Sequence, residues 1–418
     1  MTGGAAPGAS SEIVVEIESL APGGDAVGRQ VGGVEAQPTS GRVTFVPLAA
    51  PGDRVRARIE REKEKVAWAE LVSVERPGPD RIAPPCPVFG ACGGCQWQQV
   101  TIEAQRHAKQ AIVARALGLG EPPPIAAPNP PYGYRDRTKL AVGAGGALGF
   151  RARRSHNIVD VGACPLFGAE LARALPALRA LARGLAAGVE LEAQAGREGV
   201  HLNVVRADPT SAAHARREVD RLEAAGIVGL ALAGKPTWGR TDVDVAEPDS
   251  PPLAVPAGAF AQVGRAANAG LVSAVLDAIG PTPGVVHELY AGSGNFTRHL
   301  VSRASAIRAE DGDPAAVERG RRHVPGATWS RTPSRQPPGT GDPDVVLLDP
   351  PREGADRASL AAAARARRRI VYVSCDPQTL GRDARALAAA GFRLVRAIAL
   401  DLMPQTFHVE VVATFQRA

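Results

Sequence analysis

Ile370-Val371-Tyr372-Val373 is an unbroken apolar run, rich in β-branched residues, that stops at Ser374-Cys375-Asp376-Pro377. Such a run is the pattern of a strand buried on both faces. Proline cannot continue a strand ladder, so Cys375 falls at the strand's carboxyl end, where open α/β sheets bind their ligands. A thiol held there is a candidate nucleophile; a plain buried cysteine is the competing reading. The flanking sequence alternates strand and helix signals in the same way. A helix is predicted over Val263 to Ile279. The strand Val285 to Leu289 runs into Tyr290-Ala-Gly-Ser-Gly-Asn-Phe-Thr297, and a helix follows. Ala306 to Ala309 is a second strand ending in Glu310 and Asp311. Val345 to Leu348 leads into Asp349-Pro-Pro-Arg352. After the Cys375 strand come a helix over Pro377 to Ala390 and strands over Phe392 to Ile398 and Glu410 to Phe415. Glycines after a strand let backbone approach a ligand at a helix N-terminus. An acid about 20 residues further on can take ribose hydroxyls. These signals predict a Rossmann-like α/β domain over 256–418.

The rest of the 418 residues predicts a multidomain chain. Short strands punctuated by Gly and Pro over 11–77 suggest a small β-barrel of the OB kind, after a flexible start at 1–10. Arg54, Arg56, Arg58, Arg61, Lys63 and Lys65 crowd one hairpin of it. They read as a phosphate-tracking surface or as a solvated face. Residues 78–255 predict a central α+β domain, with Glu247 to Pro256 as a proline-rich linker. The chain carries 49 Lys and Arg against 43 Asp and Glu, a net charge of +6. That modest excess fits a polyanionic partner such as RNA. No apolar run approaches the ~20 residues that span a bilayer. The first residues lack the basic-then-apolar pattern of a signal peptide, which predicts a cytoplasmic protein.

Cys86, Cys92 and Cys95 form C-x5-C-x2-C, and Cys164 follows at a distance, next to Pro165. Four soft thiolates suit zinc or an iron–sulfur cluster. Zinc sites with four cysteines usually come as paired C-x2-C hooks. The three-plus-one split with a Cys-Pro leans toward [4Fe–4S].

Taken together, the chain resembles the S-adenosylmethionine-dependent RNA 5-methyluridine methyltransferases, in particular the iron–sulfur branch acting on 23S ribosomal RNA. The resemblance rests on Phe260-Ala-Gln262-Val, Tyr290 to Thr297, Asp349-Pro-Pro-Arg352, Ser374-Cys-Asp-Pro377 and Phe407-His-Val-Glu410, in that order, with the cysteine pattern upstream. It implies that residues 11–77 are a TRAM domain, and that Cys86, Cys92, Cys95 and Cys164 hold a [4Fe–4S] cluster. It further implies that Gln262, Tyr290, Gly292, Asn295, Asp311 and Asp349 contact S-adenosyl-L-methionine, that Cys375 is the nucleophile and that Glu410 is the base. Glu310 remains an alternative to Asp311, and Asp349 has uracil recognition or thiol orientation as alternative duties. Glu410 reaches the carboxyl edge only if the last strand runs antiparallel to its neighbours, as it does in that family. A lowered Cys375 pKa is expected, since the thiolate is the reactive form. Gly264 stands where the family often has Asn, and the proline-rich 325–342 shows no adenine-contact motif. Transfer RNA is the alternative substrate, and a non-catalytic RNA-binding or assembly factor is the alternative role.

Overall fold

The computed structural model describes residues 12–33, 41–240, 242–247, 249–256, 258–331 and 341–417. The expected flexible start and half of the proline-rich 325–342 stretch, residues 332–340, lie outside them. The chain divides into two compact units, 1–112 with 404–407, and 113–403 with 408–418.

In the first unit, β1 (Glu12–Leu20), β2 (Ala26–Gly33), β3 (Val43–Val46), β4 (Arg54–Lys63) and β5 (Val66–Arg76) close a barrel in the order β1-β2-β3-β5-β4. Alternation sets its inside: Ile13, Val15, Ile17, Val46, Val55, Ala57 and Ala69 are buried, with charged residues between them. Gly28 is required where strands approach, because a Cβ there would lie 1.9 Å from the Glu16 carbonyl oxygen. The hairpin arginines are answered by glutamates on neighbouring strands. Arg54 meets Glu16 at 3.2 Å and Glu75 at 3.3 Å, Arg56 meets Glu75 at 3.4 Å, and Arg58 meets Glu12 at 3.6 Å. Arg54, Arg56 and Arg58 therefore form a ladder of charge pairs. Segment 86–95 follows in the same unit. Then comes α1 (Ile102–Leu117), whose Gln105 donates to the carbonyls of Trp97 and Val100 at 2.9 Å.

The second unit begins with β6 (Ile125–Ala126). Next come β7 (Arg137–Val142), β8 (Leu148–Arg151), β9 (Ile158–Asp160), α2 (Ala169–Ala182), β10 (Glu190–Gly196), β11 (Gly199–Val205), α3 (Pro209–Arg217), α4 (Val219–Ala224), β12 (Ile227–Leu232) and β13 (Lys235–Gly239). Its first sheet has the order β13-β12-β11-β10-β7-β8-β9. Leu171, Leu175, Leu178 and Leu181 of α2 lie in one apolar core with Leu140, Leu191 and Leu202 of the sheet. α3 and α4 are two short helices that lead into β12.

The expected linker carries structure. A ribbon of β14 (Asp242–Asp244) and β15 (Ala254–Pro256) brackets it, and Glu247 is buried. After it come α5 (Arg265–Ile279), β16 (Val285–Leu289), α6 (Thr297–Leu300), β17 (Ala306–Asp311), α7 (Pro314–His323), β18 (Thr328–Arg331), β19 (Val345–Leu348), α8 (Arg357–Ala363), β20 (Arg369–Ser374), α9 (Pro377–Ala389), β21 (Phe392–Leu400) and β22 (Glu410–Arg417). Their sheet has the order β18-β17-β16-β19-β20-β22-β21-β6. β16 through β20 run parallel, and β22 runs antiparallel to both β20 and β21. The apolar run of β20 is buried on both faces, as its sequence predicts. Every parallel strand therefore ends, and β22 begins, at one edge of the sheet.

Candidate active site

That edge carries a cavity of about 870 Å³, within the size range of small-molecule sites. Gln262, Tyr290, Gly292, Asn295, Asp311, Asp349, Cys375 and Glu410 all line it. Cys375 follows the last residue of β20, and Glu410 opens β22. Ser374 pairs with Val411, which sets Cys375 beside Glu410 across the antiparallel ladder. Downstream, the Asp376 carboxylate accepts the Gln378 amide at 2.8 Å and caps α9, with Pro377 in its first turn.

The loop after β16 is held from three sides. Asp311 accepts the Gly292 amide at 2.8 Å on one carboxylate oxygen and the Asp313 amide at 2.8 Å on the other, leaving lone pairs for a hydroxyl donor. Glu310 instead turns to His287 at 3.1 Å and does not line the cavity, so Asp311 is the acid that faces it. The side chains of Asn295 and Asn268 exchange two hydrogen bonds of 2.8 Å. Asn268 also donates to Glu247, which pairs with the buried Arg298 at 2.6 Å. The amide of Asn295 thus fixes the loop. Tyr290 sits at φ +60°, a left-handed conformation unfavourable for a bulky residue, and its hydroxyl donates to Ser359 at 2.9 Å. Gly264 is explained by proximity: a Cβ there would lie 2.3 Å from the Tyr134 carbonyl oxygen.

Two supports are not announced by any sequence motif. The hydroxyl of Tyr372 donates to Asp383 at 2.6 Å, and the Ala355 amide donates to that same carboxylate at 2.9 Å. This buried network anchors the turn after Asp349-Pro-Pro-Arg352. Arg137 donates to the Ala261 carbonyl at 2.7 Å and lies 5.6 Å from the ring of the exposed Phe260, both lining the cavity.

The electrostatics reverse one expectation. Burial, then the nearby Glu410 carboxyl, push the Cys375 thiol up to about 11; Arg352 offsets this in part. Burial pushes Asp349 up to about 7. Burial and the proximity of Asp349 carry Glu410 well above the usual carboxylate range. Burial is the first cause at each of the three, and it disfavours their charged forms.

Comparison with known proteins decides the family. Residues 342–418 match the family described as tRNA (Uracil-5-)-methyltransferase, and residues 10–72 match the TRAM domain. The chain is 37% identical over 411 residues to a 23S rRNA (uracil(1939)-C(5))-methyltransferase RlmD of Alkalilimnicola ehrlichii, covering 90% of this chain and 92% of that one. The chain belongs to the RNA uracil-C5 methyltransferase family. A second member, the protein of the same name from Chromohalobacter salexigens, is 33% identical, over 96% of this chain and 89% of the relative. Among solved structures, the Pyrococcus abyssi tRNA (uracil-54, C5)-methyltransferase shares the fold, with a TM-score of 0.75 and 24% identity over 96% of this chain and 99% of that one.

For this uracil-C5 methyltransferase family member, none of the expected metal ligands lines the cavity. Cys86, Cys92 and Cys95 are partly buried in the first unit, where the Gly94 amide points at the Cys92 sulfur at 3.4 Å. Cys164 belongs to the second unit and packs against its core. Among the described residues, no group of three or more His, Cys, Asp or Glu side chains is placed to hold a metal ion. No described helix is long and apolar enough to cross a membrane.

Proposed function

We propose that this protein methylates C5 of a uracil in 23S ribosomal RNA, with S-adenosyl-L-methionine as methyl donor. The observation that carries the reading is the register of β20 and β22, which puts a thiol and a carboxyl side by side at the floor of one cavity. C5 of neutral uracil is a poor nucleophile. In the proposed reaction the Cys375 thiol gives up its proton to solvent, the thiolate sulfur bonds to C6, and the C5–C6 π electrons move onto the C4 carbonyl oxygen as an enolate with carbanion character at C5. The donor, when bound, supplies an electrophilic methyl on a sulfonium. Once C5 carries the methyl, Glu410 takes the C5 proton, the C5–C6 double bond re-forms and the Cys375 sulfur leaves. Glu410 serves as base in its ionised form, and a carboxylate whose conjugate acid is raised by burial binds that last proton more strongly.

Asp311 would hold the donor's ribose hydroxyls and the Gly292 backbone would approach its chain. Gln262, Tyr290 and Asp349 would complete its pocket, and Asn295 would hold the loop. Cys86, Cys92 and Cys95, with Cys164 as a fourth ligand, are proposed to carry a [4Fe–4S] cluster. The spacing of the cysteines and the amide directed at the Cys92 sulfur support that assignment. Protein purified without oxygen should be brown and hold iron and acid-labile sulfide; a colourless, zinc-loaded protein would overturn it.

Labelled methyl transfer to ribosomal and transfer RNA from cells lacking the protein, read as nucleosides, tests the reaction. Label in 5-methyluridine of 23S RNA is expected. Label in transfer RNA alone would keep the chemistry and change the substrate; none in either pool would reject the proposal. Glu410→Gln should accumulate a covalent RNA adduct through Cys375, and absence of adduct with a good substrate would remove Glu410 as the base.

A further inference from the structure

Aromatic residues make up only 4% of the chain, yet two stand side by side on the outer wall of the barrel. Phe45 on β3 is paired in register with Trp68 on β5, and Trp68 with Arg61 on β4. The alternation that buries Thr44, Val46, Ala67 and Ala69 turns these three side chains outward into one row across three strands. The Phe45 and Trp68 rings are stacked, 5.9 Å between centroids and 13° between planes. The Arg61 guanidinium lies 3.9 Å over the Trp68 ring. Burial does not require this arrangement, since both rings remain partly exposed and the barrel core is closed without them.

Charge on the same hairpin is distributed unevenly. Arg54, Arg56 and Arg58 each face a glutamate, as described above. Among the described residues, Arg61, Lys63 and Lys65 have no carboxylate within ion-pair distance, and all three are exposed. These three cations alternate with Glu60, Glu62 and Glu64 at the tip of the β4–β5 hairpin, where Glu62 is paired with Arg42, and they lie beside the stacked rings.

We propose that the Phe45–Trp68–Arg61 row is a stacking platform for an unpaired RNA base, with Lys63 and Lys65 taking the adjoining phosphates. The inference rests on the proposed RNA substrate and assigns it a specific contact. A flat π-face takes any base, and cations beside it take the backbone, which is how single strands are held without sequence readout. The charge-paired arginines take no part, because a phosphate arriving there would have to displace a glutamate.

The test uses the full chain and a fluorescein-labelled single-stranded oligouridylate of about ten nucleotides, long enough for one barrel site. Trp68→Leu, which keeps an apolar residue on the strand, should weaken binding about ten-fold, with Trp68→Phe close to wild type. Lys63→Met with Lys65→Met should lower the salt dependence of binding by close to two phosphate contacts. Arg56→Met should leave binding unchanged, and quenching of tryptophan fluorescence by RNA should shrink in Trp68→Leu. Equal binding by Trp68→Leu and wild type, or no binding by wild type, would overturn the platform, as would weakening by Arg56→Met alone. In methyl transfer to ribosomal RNA, Trp68→Leu should raise the KM for RNA with kcat retained. A wild-type chain that binds the oligonucleotide but transfers no methyl would instead refute the proposed reaction.

Discussion

The raised thiol is the most exposed point of the site's electrostatics, and alkylation measures it directly. With a pKa of about 11, Cys375 is thiolate in only about three molecules in ten thousand at pH 7.5, against about one in ten for an ordinary thiol. The perturbation is pH, and the assay is iodoacetamide labelling of the ligand-free protein, with each of its five cysteines followed by peptide mass spectrometry. The Cys375 rate should rise close to ten-fold per pH unit from 7 to about 10, without a plateau, because only the thiolate reacts. The slope carries the information, so limited access to the cavity does not confuse the reading. Two variants sharpen it. Arg352→Met removes the cation that lowers the thiol and should shift the profile to higher pH, while Glu410→Gln removes a carboxyl that raises it and should shift it lower. A Cys375 plateau at or below pH 9 would refute the claim that burial and Glu410 dominate there.

Three further outcomes follow from buried contacts. Glu247→Ala leaves Arg298 charged and unpaired in the interior and should cost about 3–5 kcal/mol by urea unfolding, with Arg298→Met similar and the double variant milder than the sum. Glu288 is buried, accepts the Thr297 hydroxyl at 2.7 Å, and is pushed by burial up to about 8. Its folded value lies above its unfolded one, so its burial is unpenalised below about pH 4.5 and stability drains away as pH rises toward 8. Glu288→Gln should therefore gain on wild type by up to a few kcal/mol across that window in paired denaturation curves, in the order of magnitude set by linkage. Gly264→Asn forces its Cβ against the Tyr134 carbonyl and should cost about 1–3 kcal/mol while weakening S-adenosylmethionine binding in calorimetry, since Gln262 is two residues away.

Much of the α/β sheet was legible because each strand declares itself locally. The apolar run of β20, the glycines after β16 and the prolines at 350, 351 and 377 mark where strands stop. Chemistry placed at stops ends up at one edge once the strands are parallel. The position of Glu410 needed one non-local fact, the reversal of β22, and that came from resemblance. What failed to show was pairing between residues far apart in sequence. The arginine run of β4 looks like a cationic face in one dimension. Its neutralising glutamates lie on β1 and β5, at positions that only barrel closure brings alongside. Glu247 sits in a stretch whose prolines announce a linker, but its partners Asn268 and Arg298 arrive from two later helices. Asp383 looks like an ordinary helix carboxylate until Tyr372 and the Ala355 amide converge on it.

The reversed thiol shift has the same origin and bears on how the site works. A sequence motif names a nucleophile but does not show the dielectric around it. Cys375, Asp349 and Glu410 share one cavity, all three are raised, and burial is the first cause each time. A resting site of this kind holds its protons and leaves the thiol inert, which protects it from stray alkylation and oxidation. The same three shifts make the cavity favourable to a positive charge, because a cation there offsets the cost of ionising any of them. Asp349, proposed to contact the donor, is one of the three, so a sulfonium bound beside it would favour ionisation of the group. On the proposed roles, activation of Cys375 would depend on the cavity being filled, coupling the nucleophile to donor binding by electrostatics without requiring a moving part.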